Sequence, residues 1–327
     1  MPDPIIDVHP SAETPAQRAQ AIAGLEAGRL DPRLLYATPR QAALWREVAQ
    51  RHAPIHSNLE FERIYREAFA QLALKMPGHR VRLVGLGCGT GFKEADLYFH
   101  LVAAGKRVEF CAVDVSRDLV TEAVGRLQRD WADPQRSLVC DLEEAAFIAS
   151  WLAGLSENLP RVITFFGLVP NLDPVTVTAI FRAMLRPGDL LAASVHLAPV
   201  ARTGSLAAAM QAVLPQYDNA ETRAWLSVTL EELGLSDRLG PVALRIGEVG
   251  GVTAFLGEAR WISGEPFELW DHRFTPRAGE PLTVFHSLRY TPEDFERAMA
   301  AAGFAATRLA LTACGEEGIW SIAPAAA

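Results

Sequence analysis

Three glycines, Gly87, Gly89 and Gly91, alternate within Leu83-Val-Gly-Leu-Gly-Cys-Gly-Thr-Gly-Phe-Lys93, directly after an apolar run that includes Val81, Leu83 and Val84. Glycine lacks Cβ and tolerates positive φ, so a strand that ends here passes into a loop whose backbone comes close to something. The spacing is G-x-G-x-G. The related G-x-G-x-x-G pattern sets a pyrophosphate on a helix N-terminus, so a ligand here need not carry phosphate. A tight strand-to-helix turn with no ligand would look the same. Carboxylates further along bear on the choice. Asp114 closes the apolar run Cys-Ala-Val-Asp, 27 residues after Gly87. A carboxylate at the end of a second parallel strand can accept both hydroxyls of a ribose. It could also cap the following helix, although Ser116 is better placed for that. Asp141 closes Leu-Val-Cys-Asp and can accept an adenine amino hydrogen, or cap the segment opened by Leu142-Glu143-Glu144.

G-x-G-x-G is the usual loop beneath the methionine moiety of S-adenosylmethionine (SAM), which carries no phosphate. Lys93 could contact the carboxylate of that moiety. As a solvated lysine it would sit poorly in a first helical turn, where the dipole disfavours a cation. The loop Phe165-Phe166-Gly167-Leu168-Val169-Pro170-Asn171 follows the fourth apolar run and would lie beside a transferred methyl. Asn171 there could bind a substrate carboxylate or amine, or be a turn residue before Asp173-Pro174. His196 is a candidate base or orienting group, or a hydrogen-bonded strand-end histidine. His272 and His286 could line a pocket or cap strands. His52 and His56 are four apart, but no acid or thiolate completes a metal site, and none is expected. Trp225, Trp261 and Trp270 read as packing residues.

The elements that must position these groups alternate. Strands are expected at 81–86, 108–113, 136–140, 161–166 and 189–196, with helices at 93–104, 116–131, 143–155 and 173–185. That rhythm implies right-handed crossovers and a parallel sheet covered on both faces. Residues 11–75 read as helices, notably 39–52 and 60–74. A helix at 220–235, a strand-rich stretch at 241–289 with turns at Gly250-Gly251, Gly264 and Gly279, a helix at 291–302 and a closing hairpin of 307–313 with 318–323 complete the chain.

The sequence has 327 residues, half of them apolar, with 31 Lys and Arg against 39 Asp and Glu, a net charge of −8. An acidic chain without a basic cluster argues against a nucleic-acid partner. No apolar run reaches the roughly 18 residues of a membrane span, and the N-terminus does not read as a signal peptide. Cys88, Cys111, Cys140 and Cys314 are scattered, as buried reduced thiols would be, which points to the cytoplasm. Nothing here bears on oligomeric state.

Gly-Leu-Gly-Cys-Gly-Thr-Gly-Phe-Lys, Ala-Val-Asp-Val-Ser, Phe-Phe-Gly-Leu-Val-Pro-Asn-Leu and Leu-Arg-Pro-Gly-Asp together resemble the histidine-specific SAM-dependent methyltransferases. Gln216-Tyr217-Asp218-Asn219-Ala220, Ser287-Leu288-Arg289-Tyr290-Thr291 and Ala302-Gly303-Phe304 extend the likeness over about residues 80–323, with Leu35-Tyr36 suggestive before it. The family's members trimethylate the α-amine of histidine in ergothioneine synthesis, and fungal relatives methylate a prenylated tryptophan. The resemblance implies an α/β class I methyltransferase sheet, Rossmann-like, carried by residues 79–200 and 290–327. A helical segment at 1–78 and a substrate-binding insertion at 201–289 would flank it. It implies SAM as cofactor on Gly87, Gly89, Gly91, Lys93, Asp114, Asp141, Phe166 and Gly167. Tyr36, Asn171, Tyr217, Phe285 and Ser287 would meet a small amino-acid-like substrate, with Asn171 and Tyr217 closest to the chemistry. One departure matters. Where the histidine enzymes carry a glutamate for the imidazole N–H, this chain has Phe285, which offers no acceptor and suits an aromatic or apolar side chain better. The expected function is N-methylation of an amino-acid-like amine. The alternatives are a different acceptor (an indole-type amino acid, a small amine or a peptide) or a SAM-binding partner protein without catalysis.

Overall fold

The computed structural model describes residues 4–127, 136–155 and 158–325, apart from the side chain of residue 56. Residues 128–131 of the expected helix lie outside the described residues, as do 1–3 of the N-terminal reading and the last two alanines. In chain order the first elements are β1 (Ile5–Val8), α1 (Thr14–Glu26), α2 (Pro39–His52), α3 (Leu59–Lys75), β2 (Arg80–Leu86), α4 (Phe92–Ala103), β3 (Arg107–Asp114), α5 (Arg117–Leu127) and β4 (Arg136–Val139). Next come α6 (Ala145–Ala153), β5 (Arg161–Phe165), α7 (Pro174–Met184), β6 (Leu190–His196), α8 (Val200–Thr203), α9 (Leu206–Val213) and α10 (Ala220–Glu232). The chain finishes with β7 (Ala243–Val249), β8 (Val252–Arg260), β9 (Phe267–Leu269), β10 (His272–Phe274), β11 (Pro281–Leu288), α11 (Pro292–Ala301), β12 (Phe304–Leu311) and β13 (Glu317–Pro324).

Among the described residues one sheet runs β1-β4-β3-β2-β5-β6-β13-β12, parallel except where β13 lies antiparallel to both β6 and β12. A parallel core finished by an antiparallel hairpin is the class I SAM-dependent methyltransferase layout. The central strands β2, β3, β5 and β6 are buried along almost their whole length, which is why they read as unbroken apolar runs rather than as alternating ones. Side chains of α6, α7 and α11 cover one face, and those of α3, α4 and α5 the other. The strand β1 was not foreseen. Ile-Ile-Asp-Val is four residues long, and it pairs in parallel with β4 at the sheet edge, a partnership that only tertiary structure supplies.

Between β6 and α11 the chain builds a three-stranded antiparallel sheet, β11-β8-β7, turned at Gly250-Gly251, and a short β9–β10 ribbon. The N-terminal helices divide between these bodies. From α3, Ile64, Tyr65, Phe69 and Leu72 pack on the main sheet. Residues of α1, the turn before α2, and α2 instead share an apolar cluster with α10, β8 and β11.

Helix α2 begins with a capping box. Thr38 Oγ1 accepts the Gln41 N–H at 3.2 Å, and Gln41 Oε1 accepts the Thr38 N–H at 3.1 Å. Thr38→Ala removes one half of this box and the bond from its hydroxyl to Glu232 on α10. We expect a loss of about 1 kcal/mol, seen as a thermal midpoint lower by about 2 °C. An unchanged midpoint would show that the cap contributes nothing.

Candidate active site

Strand β2 delivers the glycine loop at its carboxyl end, and all three glycines have positive φ, +58° at Gly87, +52° at Gly89 and +71° at Gly91. Their reasons differ. A Cβ on Gly91 would lie 2.9 Å from the Cα and Cβ of Ala123, so this glycine lets α4 start against α5. Gly91 does not line the cavity. Gly87 and Gly89 do, and Trp45 from α2 stands over Gly89. The cavity holds about 370 Å³ and opens at the carboxyl ends of the parallel strands, within the range of small-molecule sites. Lys93, Asp114, Asp141, Phe166, Gly167, Tyr36, Asn171, Tyr217, Phe285 and Ser287 also line it, so one space gathers residues spread over 250 positions.

Asp114 at the end of β3 is buried. Its Oδ2 accepts the Gly89 N–H and its Oδ1 the Ser116 N–H, both at 3.0 Å. Burial pushes its carboxyl pKa up, and hydrogen bonds from Ser116, Gly89 and Val115 oppose the shift. Asp141 after β4 caps the next turn through the Glu143 N–H at 2.9 Å. Its other oxygen faces Arg33 and accepts from Gln20 Nε2 at 3.3 Å, so the turn before α2 and helix α1 close over it. Lys93 is half-buried and donates to the Tyr65 hydroxyl at 2.7 Å. Burial lowers its pKa, against the pull of Glu317 and Glu94.

The loop after β5 is shaped by Gly167, at φ +75°, whose N–H donates to Ser194 Oγ at 2.8 Å. Asn171 ends the short turn that follows and donates from Nδ2 to the Gly167 carbonyl at 3.0 Å, which orients it along the cavity wall. Across from it, Phe285, Ser287 and Arg289 line the cavity two residues apart, as one face of a strand must. His286, between them, points away towards Leu172 and Asp173, and burial lowers its pKa to about 4.

The Tyr217 hydroxyl is the centre of a polar cluster. It lies 2.9 Å from Ser287 Oγ and 3.3 Å from His196 Nδ1, and it accepts from Arg289 Nη2 at 2.8 Å. Its ring stacks on Phe255 at 4.6 Å. Arg289 is 5% exposed and donates from Nη1 to the carbonyls of Leu197 and Glu316. Its buried Nε has no hydrogen-bond partner, and among the described residues no carboxylate lies within ion-pair distance of it. Burial, Arg289 and Lys93 together hold the His196 imidazole well below its usual pKa, so it is neutral at neutral pH. From this cluster a row of rings leads away. Tyr217 is 6.1 Å from Phe285, Phe285 5.8 Å from Trp225, Trp225 5.6 Å from Tyr36, and Tyr36 5.7 Å from Trp45. Burial and nearby Asp114 raise the Tyr36 pKa.

Other candidates stand elsewhere. His52 meets Glu221 at 3.2 Å and also borders the cavity, whereas His272 pairs with Glu26 on the β9–β10 ribbon. The side chain of His56 lies outside the described residues. Trp225 packs as expected and also walls the cavity, with its Nε1 donating to the Leu35 carbonyl. All four cysteines are free, and Cys111 sits within β3. Sequence reasoning missed Arg289, Trp45, Tyr65, Glu94 and Glu317. Only Arg289 had a signal, since it lies two residues beyond Ser287 on the same strand face.

The residues present suit SAM. A carboxylate for a ribose diol, an ammonium for a carboxylate and glycine backbone for close approach all open on one cavity. The sequence model described as "Histidine-specific methyltransferase, SAM-dependent" matches residues 17–210, more than half of the chain. None of the curated proteins matches the sequence. Among solved structures, a putative methyltransferase from Thermobifida fusca YX is similar at 13% identity, over 93% of this chain and 98% of that one, with a TM-score of 0.47. A SAM-dependent methyltransferase from Bacteroides fragilis, in complex with S-adenosylhomocysteine, is similar at 12% identity over 81% of each chain, with a TM-score of 0.36. A sugar N-methyltransferase from Streptoalloteichus is similar at 16% identity, over 80% of this chain and 87% of that one, with a TM-score of 0.37. This enzyme is a SAM-dependent methyltransferase, and the chain belongs to the histidine-specific, SAM-dependent methyltransferase family.

Proposed function

We propose that this enzyme methylates the amine of a small amino-acid-like molecule whose side chain is aromatic or apolar. The observation that carries the reading is one cavity wall, where a polar cluster anchored by Arg289 adjoins the rings of Phe285, Trp225 and Tyr36. A buried guanidinium with no acidic partner among the described residues calls for an anion, and a substrate carboxylate supplies one. Phe285 in place of a glutamate leaves an imidazole N–H without an acceptor, at a cost of roughly 1–3 kcal/mol.

SAM supplies a methyl group on a sulfonium, transferred in line to a lone pair. Asp114, Lys93, Asp141, Phe166, Gly167 and the backbone of Gly87 and Gly89 would hold it, leaving Asn171 and Tyr217 to set the amine. Burial of a substrate ammonium beside Arg289 favours its neutral form, which has the lone pair. Among the described residues no carboxylate lies within ion-pair distance of His196 to steady a positive charge, so we assign it to orienting the Tyr217 hydroxyl. Residues 201–289 would form the substrate side, 79–200 with 290–327 the SAM-binding body, and 1–78 the helical segment. Four unpaired cysteines fit a reducing compartment, the cytoplasm.

The test is methyl transfer to histidine, phenylalanine, tyrosine, tryptophan and the amines that lack their carboxylates. We expect the aromatic amino acids to be methylated, histidine poorly, and the carboxylate-free amines least. Transfer to none of the amino acids would overturn the reading. Phe285→Glu should raise histidine turnover about tenfold, the scale of one restored hydrogen bond.

A further inference from the structure

Beneath the glycine loop, three side chains far apart in sequence form a buried polar chain that reaches the closing hairpin. Lys93 stands in the first turn of α4, where the helix dipole disfavours a cation. Its Nζ donates to the Tyr65 hydroxyl at 2.7 Å, and that hydroxyl donates in turn to Glu317 Oε1. Tyr65 is 2% exposed and is wedged edge-on against Phe69 and Phe166. Glu317, also buried, opens β13. It lies opposite His196 at the carboxyl end of β6, and Thr312 Oγ1 holds its N–H at 3.1 Å.

A buried carboxylate and a half-buried ammonium are each costly, and direct contact would be the simplest way to offset both. Here a tyrosine hydroxyl stands between them. Among the described residues no carboxylate comes within ion-pair distance of Lys93, so the ammonium keeps donors for something else on the cavity wall. Glu94, the next residue on α4, is turned away and accepts from Thr164 Oγ1 at 2.7 Å. The arrangement aims a lysine without closing a direct ion pair on it.

We propose that Tyr65 and Glu317 are positioning residues that hold the Lys93 ammonium on the amino-carboxylate end of the cofactor, making the C-terminal hairpin part of cofactor recognition. This rests on Lys93 contacting that end, as proposed above. Tyr65 stands behind the cavity lining and Glu317 is part of it; we assign both a positioning role through Lys93, and Glu317 lies beyond the residues the family model matches.

The test is calorimetric binding to the full chain of S-adenosylhomocysteine and of 5′-methylthioadenosine, which lacks the amino-carboxylate end. Tyr65→Phe and Glu317→Gln should each weaken S-adenosylhomocysteine about tenfold and leave 5′-methylthioadenosine within about twofold. Parallel loss of both ligands in Glu317→Gln would mean a merely structural role and would overturn the proposal. Wild-type affinity for S-adenosylhomocysteine in either folded variant would overturn it too. Lys93→Met separates the two levels of inference. If it leaves S-adenosylhomocysteine binding intact, the underlying assignment of Lys93 fails. If it weakens binding while Tyr65→Phe and Glu317→Gln do not, only the relay fails.

Discussion

Asp114→Ala will weaken S-adenosylhomocysteine binding about a hundredfold, close to 2.7 kcal/mol. Two losses combine. An ionised carboxylate has roughly four acceptor positions; in this structure the backbone N–H groups of Gly89 and Ser116 occupy two of them, and that of Val115 also faces the carboxylate. The remaining positions are the proposed acceptors for the ribose diol, each worth about 1.5–3 kcal/mol as a hydrogen bond to a charged group. Alanine also releases the Gly89 N–H, and with it one tether of a loop whose glycines sit at positive φ. Asp114→Asn keeps one carbonyl oxygen but not two, so an intermediate loss of about tenfold is expected. Calorimetry checks this, with a 2′-deoxy analogue as the second arm. The analogue should bind the wild type more weakly than S-adenosylhomocysteine does, and that difference should largely vanish in Asp114→Ala. Retention of affinity within about threefold would sink the ribose assignment.

The sheet was legible because parallel strands buried on both faces leave apolar runs bounded by Gly, Pro and Asp. The expected strands at 81–86 and 161–166 differ from β2 and β5 by one residue at a single end. The helix from 116 starts at Arg117 and is described only as far as Leu127. What stayed hidden depends on long-range contact. Ile5–Val8 becomes a strand because β4 offers it an edge. Tyr65 and Glu317 belong to no local pattern, and only the packing of α3 against the hairpin brings them together. The loop illustrates both cases. Its three glycines look equivalent in sequence, yet Gly91 answers to Ala123 on α5 while Gly87 and Gly89 face the cavity. Among the aromatic residues, Tyr36 was suggested only by the faint Leu35-Tyr36 likeness, and Trp45 had no signal at all. Tyr36, in the turn before α2, and Trp45, on α2, reach the cavity because this segment packs on α10.

Arg289→Met should lower kcat/KM for an amino-acid acceptor about a hundredfold while leaving folding stability almost unchanged. The opposite behaviour is expected of a buried arginine that serves structure alone, since breaking a buried ion pair costs roughly 3–5 kcal/mol. Arg161 is such a case. It is 1% exposed and is bonded through Nε to Asp189 at 3.0 Å, so its loss would strand a buried carboxylate. Among the described residues Arg289 has no such partner. Its donors go to two carbonyls and the Tyr217 hydroxyl, and its guanidinium lies 5.4 Å from the Tyr217 ring and 5.7 Å from that of Phe255. Methionine keeps most of the apolar volume against those rings. It also removes an uncompensated buried charge, and that relief offsets the donors lost to Leu197 and Glu316. What the protein cannot recover is the anion site and the hold on Tyr217. A charge-assisted hydrogen bond is worth about 1.5–3 kcal/mol, so its loss to a bound carboxylate accounts for the expected factor. Thermal denaturation and steady-state rates on one preparation separate the two roles, and a carboxylate-free amine completes the set. If Arg289 recognises the carboxylate, the variant should lose little further activity on that amine. An equal loss on both acceptors, or a fall in stability of about 3 kcal/mol, would make Arg289 a structural residue and remove the main support for a carboxylate-bearing substrate.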